Sequence, residues 1–211
     1  YDLHRAWAEA GLFALPFSEE VGGLGGSVID LAIVAEEIAY TSADFFMAFA
    51  GAVFCGLNIE RFGSAEQKED WLPRVFSGDL RMAISISEAD AGSDITAMKT
   101  KAVRDGDGWV INGDKLWCTG AGVKDTLLNV YLITDKGVDP RKGMSLFLIP
   151  NDAPGVELRK LDMLGRRCTG TYEVHFDNVR VDESALVGGV NKGWDCVLGG
   201  LQIERATSAA G

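Results

Sequence analysis

The feature that most constrains the fold is a change of pattern near Gly78. Before it, apolar residues recur at helical spacing, as in DLAIVAEEIAY at 30–40, and the run from Asp44 to Arg61 is apolar on nearly every side. From Arg81 to Val187 the chain consists of short alternating runs separated by turns. DGDG at 105–108 is a typical hairpin turn between two of these runs. Helical spacing returns after this segment.

This order predicts an α+β protein of several domains. We expect an N-terminal helical bundle over residues 1–80, an antiparallel β-barrel or sandwich over 81–187, and the start of a C-terminal helical bundle over 188–211. Ser64 and Gln67 have the spacing of a capping box that begins a helix. The chain starts without Met and ends inside a helical pattern, so we expect it to be incomplete at both ends.

Charge and residue counts argue against several functions. The formal net charge is -11 and the basic residues are scattered, which disfavours a nucleic-acid or polybasic membrane contact. The four cysteines form no C-x-x-C pair and there are only two histidines, so we expect no metal site and a reducing compartment. FFMAFAGAVFCGLNI at 45–59 is short for a membrane span and indicates a buried helix.

The stretch KLWCTGAG at 115–122 is a first candidate for binding. In a regular strand Trp117 and Thr119 share one face while Leu116 and Cys118 share the other. An aromatic plate beside a hydroxyl suits a planar, heteroatom-rich ring. An ordinary half-exposed strand that packs an aromatic residue has the same pattern, so the pair alone does not decide between them.

The stretch ISISEADAGSD at 84–94 is a second candidate. A strand ends at Glu88 and a loop of small residues follows, in which Gly92 permits close backbone approach. Ser93 and Asp94 can bond to a ligand, or can simply cap a short turn.

Two charged stretches complete the candidates. Gln202, Glu204 and Arg205 in QIER lie near one another on a helix, where a solvated face is the alternative interpretation. Arg141 and Lys142 in DPRKG form either a phosphate contact or plain surface. The chain has no P-loop, no Ser-His-Asp order and no G-x-G-x-x-G after a parallel strand, so hydrolase chemistry finds no support.

Four longer stretches together resemble the acyl-CoA dehydrogenase family of flavoproteins, and the resemblance covers essentially the whole chain. They are PFSEEVGGLGGS, AEQKEDWLPRVFSGDLRMAISISEADAGSD, WVINGDKLWCTGAG and LGRRCTGTYEVHFDNVRVDESALVGGVNKGW. The family usually writes one loop as T-E-P-G-A-G-S-D, whereas this chain has S-E-A-D-A-G-S-D at 87–94. The loss of the proline and first glycine changes the stiffness of the loop and places a carboxylate near the cofactor region.

The resemblance implies an FAD site and an acyl-CoA site. Trp117 would lie against the isoalloxazine ring and Thr119 would hydrogen-bond near the flavin N5. The residues implied in FAD binding are Ile84, Ile86, Ser87, Gly92, Ser93, Trp117, Cys118 and Thr119. Those implied in acyl-CoA binding are Ser93, Lys142, Gln202 and Arg205, with Arg141 nearby.

The resemblance also implies an activity in fatty-acid metabolism, the α,β-desaturation of an acyl-CoA with hydride transfer to flavin N5. In the branch resembling isovaleryl-CoA and long-chain dehydrogenases the catalytic base is a Glu that matches Glu204. Implied partners are an electron-transfer flavoprotein and further copies of the chain, as a homodimer or homotetramer, in a bacterial cytoplasm or the mitochondrial matrix. The alternatives are an oxygen-using relative, either an acyl-CoA oxidase or a monooxygenase, and a non-catalytic subunit.

Overall fold

Four helices form the first part of the chain in the computed structural model, which describes residues 2–211. The boundaries of these helices are α1 Asp2–Glu9, α2 Val28–Thr41, α3 Ala43–Phe62 and α4 Ala65–Phe76. Ser64 and Gln67 exchange side-chain bonds with each other's main-chain N–H, which confirms the predicted capping box at the start of α4.

Eight strands form one sheet in the second part, with the short helix α5 Pro140–Gly143 inserted. The strands are β1 Arg81–Ser85, β2 Lys101–Asp105, β3 Gly108–Thr119, β4 Thr126–Ile133, β5 Met144–Pro150, β6 Val156–Leu161, β7 Thr171–Asp182 and β8 Leu186–Val187. Helix α6, Gly193–Ser208, follows them. The order of helices, sheet and a final helix confirms the predicted fold class.

The sheet is mixed rather than purely antiparallel, which corrects one part of the expectation. Strands run in the order β6-β7-β3-β2-β4-β5-β8, and β1 pairs with β4 in parallel from Arg81↔Thr126 to Ser85↔Val130. The β2–β3 hairpin lies between these two strands in sequence, and the chain enters β4 running in the same direction as β1. Alternation along a strand predicts its two faces but carries no information on the direction of its partner.

Strand β4 separates two apolar cores. Leu127 and Tyr131 on one face pack against the helices, while Leu128 and Val130 on the other face pack inside the β domain. Helix α3 lies directly on β1, since a Cβ added at Gly51 would stand 2.7 Å from the carbonyl oxygen of Met82. The helical domain is therefore pressed against the strand end where candidate ligand-binding residues lie.

Helix α3 is, within residues 2–211, the one helix long and apolar enough to cross a membrane by length and composition. A buried core helix has the same properties, and 61% of its apolar stretch is buried against the other elements.

Candidate active site

Five segments converge on a cleft of about 200 Å³ between the helical and β domains. Helix α3 supplies one wall, the end of β1 and the end of β3 supply another, and α6 closes the third side. The lining residues are Met47, Gly51, Phe54, Ile84, Ile86, Ser87, Leu116, Trp117, Thr119, Arg166, Glu204 and Ser208. Six of the residues predicted from the sequence therefore lie together, although they come from three distant stretches of the chain.

The end of β3 is not a regular strand, which corrects the predicted alternation. Trp117 has a left-handed φ of 64°, and the pairing of β3 with β7 shifts register between Lys115 and Cys118. This bulge turns Leu116 toward the cleft together with Trp117 and Thr119, while Cys118 alone points into the β core. The side chain of Trp117 stays 53% exposed, so its ring is available to a ligand.

A buried ion pair fastens this bulge to β1. The Nζ of Lys115 lies 2.7 Å from Oε1 of Glu88 and donates a second bond of 3.0 Å to the carbonyl oxygen of Ile86. Both side chains are almost entirely buried. The main-chain N–H of Leu116 also donates to the carbonyl oxygen of Ser87 at 2.9 Å. These bonds fix the position of the end of β3 relative to the segment that follows β1, and both line the cleft.

Glu88 is held ionised by its partners. Its two carboxylate oxygens also accept the main-chain N–H groups of Lys99 and Thr100, at 2.6 and 3.0 Å. Burial alone raises the pKa of Glu88, but the charge of Lys115 and these hydrogen bonds outweigh that effect and leave the pKa below its ordinary value.

Glu204 lines the same cleft in a very different environment. Its carboxylate receives no hydrogen bond from residues 2–211. Burial raises the pKa of Glu204, and the nearby positive charges of Arg205 and Arg166 oppose that rise only in part. A half-buried carboxylate of raised pKa, open to a cavity, is suited to accepting a proton.

Arg166 is a cleft residue that sequence reasoning missed. Its Nη1 donates to the Thr119 hydroxyl oxygen at 3.3 Å. Its loop is tied to the start of α3, because the main-chain N–H of Cys168 donates to Oδ2 of Asp44 at 3.1 Å. The available signal was the adjacent pair Arg166 and Arg167 between two glycines, which no helical or strand pattern explains.

The remaining predicted residues lie outside the lining of the cleft. Gly92 and Ser93 are exposed on the loop after β1. Burial raises the pKa of the Cys118 thiol to about 11, and its side chain belongs to the β core, so only its main chain can face a ligand. Lys142 is exposed on α5, and Gln202 and Arg205 are exposed on α6. Their assignment to acyl-CoA stays a prediction.

The loop after β1 and helix α5 do lie close together. The pKa of Asp94 is lowered first by its bonds from Thr96 and additionally by the charge of Arg141. The guanidinium of Arg141 also stands 5.4 Å from the centre of the Trp194 ring. Two stretches that the sequence presented as separate candidates, ending at Asp94 and containing Arg141, therefore form one surface.

The chemistry of the cleft fits a planar heteroaromatic group. The exposed indole of Trp117 offers a surface for stacking. Hydrogen-bond donors and acceptors come from the hydroxyls of Ser87 and Thr119 and from the main chain of the two strands. A larger surface groove, of about 970 Å³, lies between α4 and the segment 180–189, but no predicted site residue lines it. No cluster of three or more metal-ligating side chains occurs within residues 2–211.

Comparison with known proteins gives a consistent result. Two family profiles match, described as "Acyl-CoA dehydrogenase, N-terminal domain" over residues 1–79 and "Acyl-CoA dehydrogenase, middle domain" over residues 83–179. Mitochondrial isovaleryl-CoA dehydrogenase from Arabidopsis thaliana is 36% identical over 212 residues, which cover 100% of this chain and 51% of that protein.

Solved structures agree in fold. A glutaryl-coenzyme A dehydrogenase in complex with glutaryl-CoA superposes with a TM-score of 0.91 and 34% identity, over 98% of this chain and 53% of that one. A chain from the electron transferring flavoprotein structure of Acidaminococcus fermentans gives a TM-score of 0.92 and 29% identity, over 99% and 55% of the two chains. This chain thus spans about half the length of the relatives it matches.

Proposed function

This chain belongs to the acyl-CoA dehydrogenase family, and from that premise we propose that its cleft binds FAD and an acyl-CoA and desaturates the acyl chain between its α- and β-carbons. One observation carries the proposal. The unpaired carboxylate of Glu204 lines the same 200 Å³ cleft as Trp117 and Thr119, the two residues that the family resemblance assigns to the flavin ring.

The residues of the cleft wall would hold the cofactor. The indole of Trp117 offers a flat face, and the hydroxyls of Ser87 and Thr119 offer hydrogen bonds at its edge. FAD, when bound, supplies the acceptor for the hydride that leaves the β-carbon. Because Lys115 and Glu88 fix the ends of β1 and β3, the wall is formed in advance and needs no rearrangement to receive a planar ring.

Glu204 would act as the general base. Its carboxylate takes the proton from the α-carbon, and the electron pair left behind forms the new double bond as the β-hydride departs. Burial raises the proton affinity of the ionised carboxylate, so it is a stronger base than an exposed glutamate. The absence of hydrogen bonds from residues 2–211 leaves its oxygens free to approach the substrate.

Arg166 would serve as a positioning residue. It donates to the oxygen of Thr119, whose hydroxyl also lies 3.4 Å from that of Thr171, and when Thr171 is the donor of that bond the proton of Thr119 is left for a ligand. Its positive charge also keeps a share of Glu204 ionised, against the effect of burial.

The CoA portion would lie against the exposed predicted residues Ser93, Lys142, Gln202 and Arg205, with Arg141 near Asp94. The electron acceptor would be an electron-transfer flavoprotein, and the working form a homodimer or homotetramer. The compartment would be a bacterial cytoplasm or the mitochondrial matrix, and relatives from bacteria and from mitochondria support these two options alike.

The test is a visible absorption spectrum of the purified holoprotein before and after anaerobic addition of acyl-CoAs. We expect flavin bands that bleach on addition. Flavin bands that persist with straight-chain, branched and substituted acyl-CoAs would contradict the proposed reaction. Reoxidation of the bleached sample by air within seconds would instead identify an oxygen-using oxidase on the same fold.

A further inference from the structure

The cleft continues past Glu204 into a second, smaller cavity. This inner cavity has a volume of about 80 Å³ and shares Phe54, Ile84, Ile86 and Glu204 with the cleft. Its remaining lining is formed by Asn58, Tyr131, Val197, Gly200 and Leu201. Under the proposed function, an acyl chain whose α-carbon lies at Glu204 has this space available for its distal carbons.

The inner cavity is not purely apolar. Asn58 is 4% exposed and Tyr131 is 3% exposed, and the Nδ2 of Asn58 donates to the Tyr131 hydroxyl oxygen at 2.9 Å. Oδ1 of Asn58 has no partner within residues 2–211. The hydroxyl proton of Tyr131 has none either, and burial raises the pKa of Tyr131 well above its ordinary range, so that proton stays in place.

The opposite orientation of the Asn58 amide leads to the same result. Tyr131 would then donate to Oδ1, and Nδ2 would be the group without a partner. In either orientation the pair presents unused hydrogen-bonding capacity to a cavity whose other side chains, apart from that of Glu204 at its mouth, are apolar.

A second buried amide, that of Asn129, lies on the same strand as Tyr131. Asn129 is two residues before Tyr131 on the same face of β4, is fully buried, and has no partner for either amide atom among the described residues. Buried polar groups without partners are rare. A polar group that is removed from water and gains no hydrogen bond destabilises the fold, whereas a hydrocarbon side chain at the same position does not. Asn129 does not line the cavity itself, so the unused groups that reach the cavity are those of Asn58 and Tyr131, and they indicate that something polar binds there.

We propose that the distal part of the acyl group carries a hydroxyl, which binds between Asn58 and Tyr131. The substrate hydroxyl donates to Oδ1 of Asn58 and accepts from the Tyr131 hydroxyl, so both unused groups are satisfied. This inference rests on the proposed function and narrows its substrate class to hydroxyacyl-CoA thioesters. A volume of about 80 Å³ holds a few non-hydrogen atoms, which limits the chain to a short one.

The competing explanation is water, since the same cavity has room for one or two molecules bound to the same groups. The experiment measures kcat/KM with pairs of straight-chain acyl-CoAs of four, five and six carbons, with and without a hydroxyl on the last carbon. The affinity of each corresponding 2-enoyl-CoA product for the oxidised holoprotein is measured by calorimetry as a readout independent of turnover.

We expect one chain length at which the hydroxylated member is preferred by about tenfold or more in both measurements, because a site built for a hydroxyl rejects the analogue that lacks it. The variants Asn58→Leu and Tyr131→Phe, which remove the two bonding groups, should abolish or reverse that preference. Tyr40→Phe is the matched control, since Tyr40 is exposed on α2 and should change nothing.

Equal or better use of the unsubstituted acyl-CoAs at every length, unaltered in Asn58→Leu, would overturn the inference and assign the polar groups to bound water. Failure of the proposed function itself would give another result. In that case neither the hydroxylated nor the unsubstituted acyl-CoAs would bleach the flavin, and the inference of a hydroxyacyl substrate would fail as well.

Discussion

Two glutamates beside the cleft show how one residue type is put to two uses. Glu88 accepts bonds from the Lys115 Nζ and from two main-chain N–H groups, and its pKa is lowered. Glu204 accepts none from the described residues, and its pKa is raised by burial. Both carboxylates are withdrawn from water, so the number of partners decides the direction of the shift.

The difference separates a structural role from a chemical one. Glu88 has used its oxygens to join β1, β3 and the loop at Lys99, and nothing remains for a substrate. Glu204 keeps its oxygens free and faces a cavity on either side. The following substitutions test this contrast.

The largest expected effect is on turnover in Glu204→Gln. Loss of a general base lowers kcat by about 10² to 10⁴-fold. Anaerobic stopped-flow reduction of the flavin by a good acyl-CoA measures it, with Glu36→Gln on the exposed face of α2 as the control. Flavin content and acyl-CoA affinity should stay close to those of the unaltered protein. Near-normal reduction would remove Glu204 from the chemistry.

The next effect is on stability in Lys115→Met. This change leaves Glu88 buried with its charge uncompensated, which costs about 3–5 kcal/mol in the free energy of unfolding. Urea unfolding at pH 7 measures the loss. The double variant Lys115→Met with Glu88→Gln should recover part of it, because no buried charge remains. A loss as large in the double variant would show that packing, rather than the charge, is responsible.

Several features of the fold and of the cleft could be predicted from the sequence. The helix-to-strand change near Gly78 and the Ser64 capping box were predicted correctly, and Trp117, Thr119 and Glu204, whose roles stay a prediction, line one cleft. The first two rest on local spacing. The association of the three cleft residues was implied by resemblance to a family, since nothing local connects β3 to α6.

What the sequence did not reveal depends on non-local geometry. The parallel pairing of β1 with β4 and the bulge at Trp117 arise from partner strands, and neither leaves a mark in the alternation of one strand. Arg166 lies at the cleft on a loop that is bonded to Asp44, more than a hundred residues earlier. Nothing in the local sequence pattern indicates the buried pair of Lys115 with Glu88 either.

A third effect concerns the pH dependence of flavin reduction and the role of Arg166. The reaction needs ionised Glu204, so kcat/KM should rise with pH through a midpoint above the ordinary glutamate pKa of about 4.3. Because the charge of Arg166 lowers the pKa of Glu204, Arg166→Gln should move that midpoint to higher pH. The pH profile of the reduction rate checks this, with Arg167→Gln in the same loop as the control. A midpoint that stays in place would show that Arg166 acts only on Thr119.

The smallest effect is on stability, and its sign distinguishes the two glutamates. The pKa of Glu204 is higher in the folded protein than in the unfolded chain. Between these two pKa values the unfolded chain binds fewer protons than the folded protein, so stability falls as the pH rises through this range, and above it the ionised Glu204 opposes folding. Glu204→Gln should therefore increase stability at pH 8 by roughly 0.5 kcal/mol or less. This gain should fade as the pH falls through the folded-state pKa of Glu204.

Glu88 behaves in the opposite way, because its folded-state pKa is lowered. Its contribution is present above the ordinary pKa and is lost as the pH falls through the folded value, so Glu88→Gln should destabilise the protein at pH 8 and matter less in acid. Urea midpoints of both variants at pH 8 and pH 5, and of Glu88→Gln also at about pH 3, below the ordinary glutamate pKa of about 4.3, give the comparison directly. If both changes moved the midpoint in the same direction at pH 8, partner number would not explain the opposite pKa shifts, and the assignment of Glu204 as a carboxylate kept free for proton transfer would lose its physical basis.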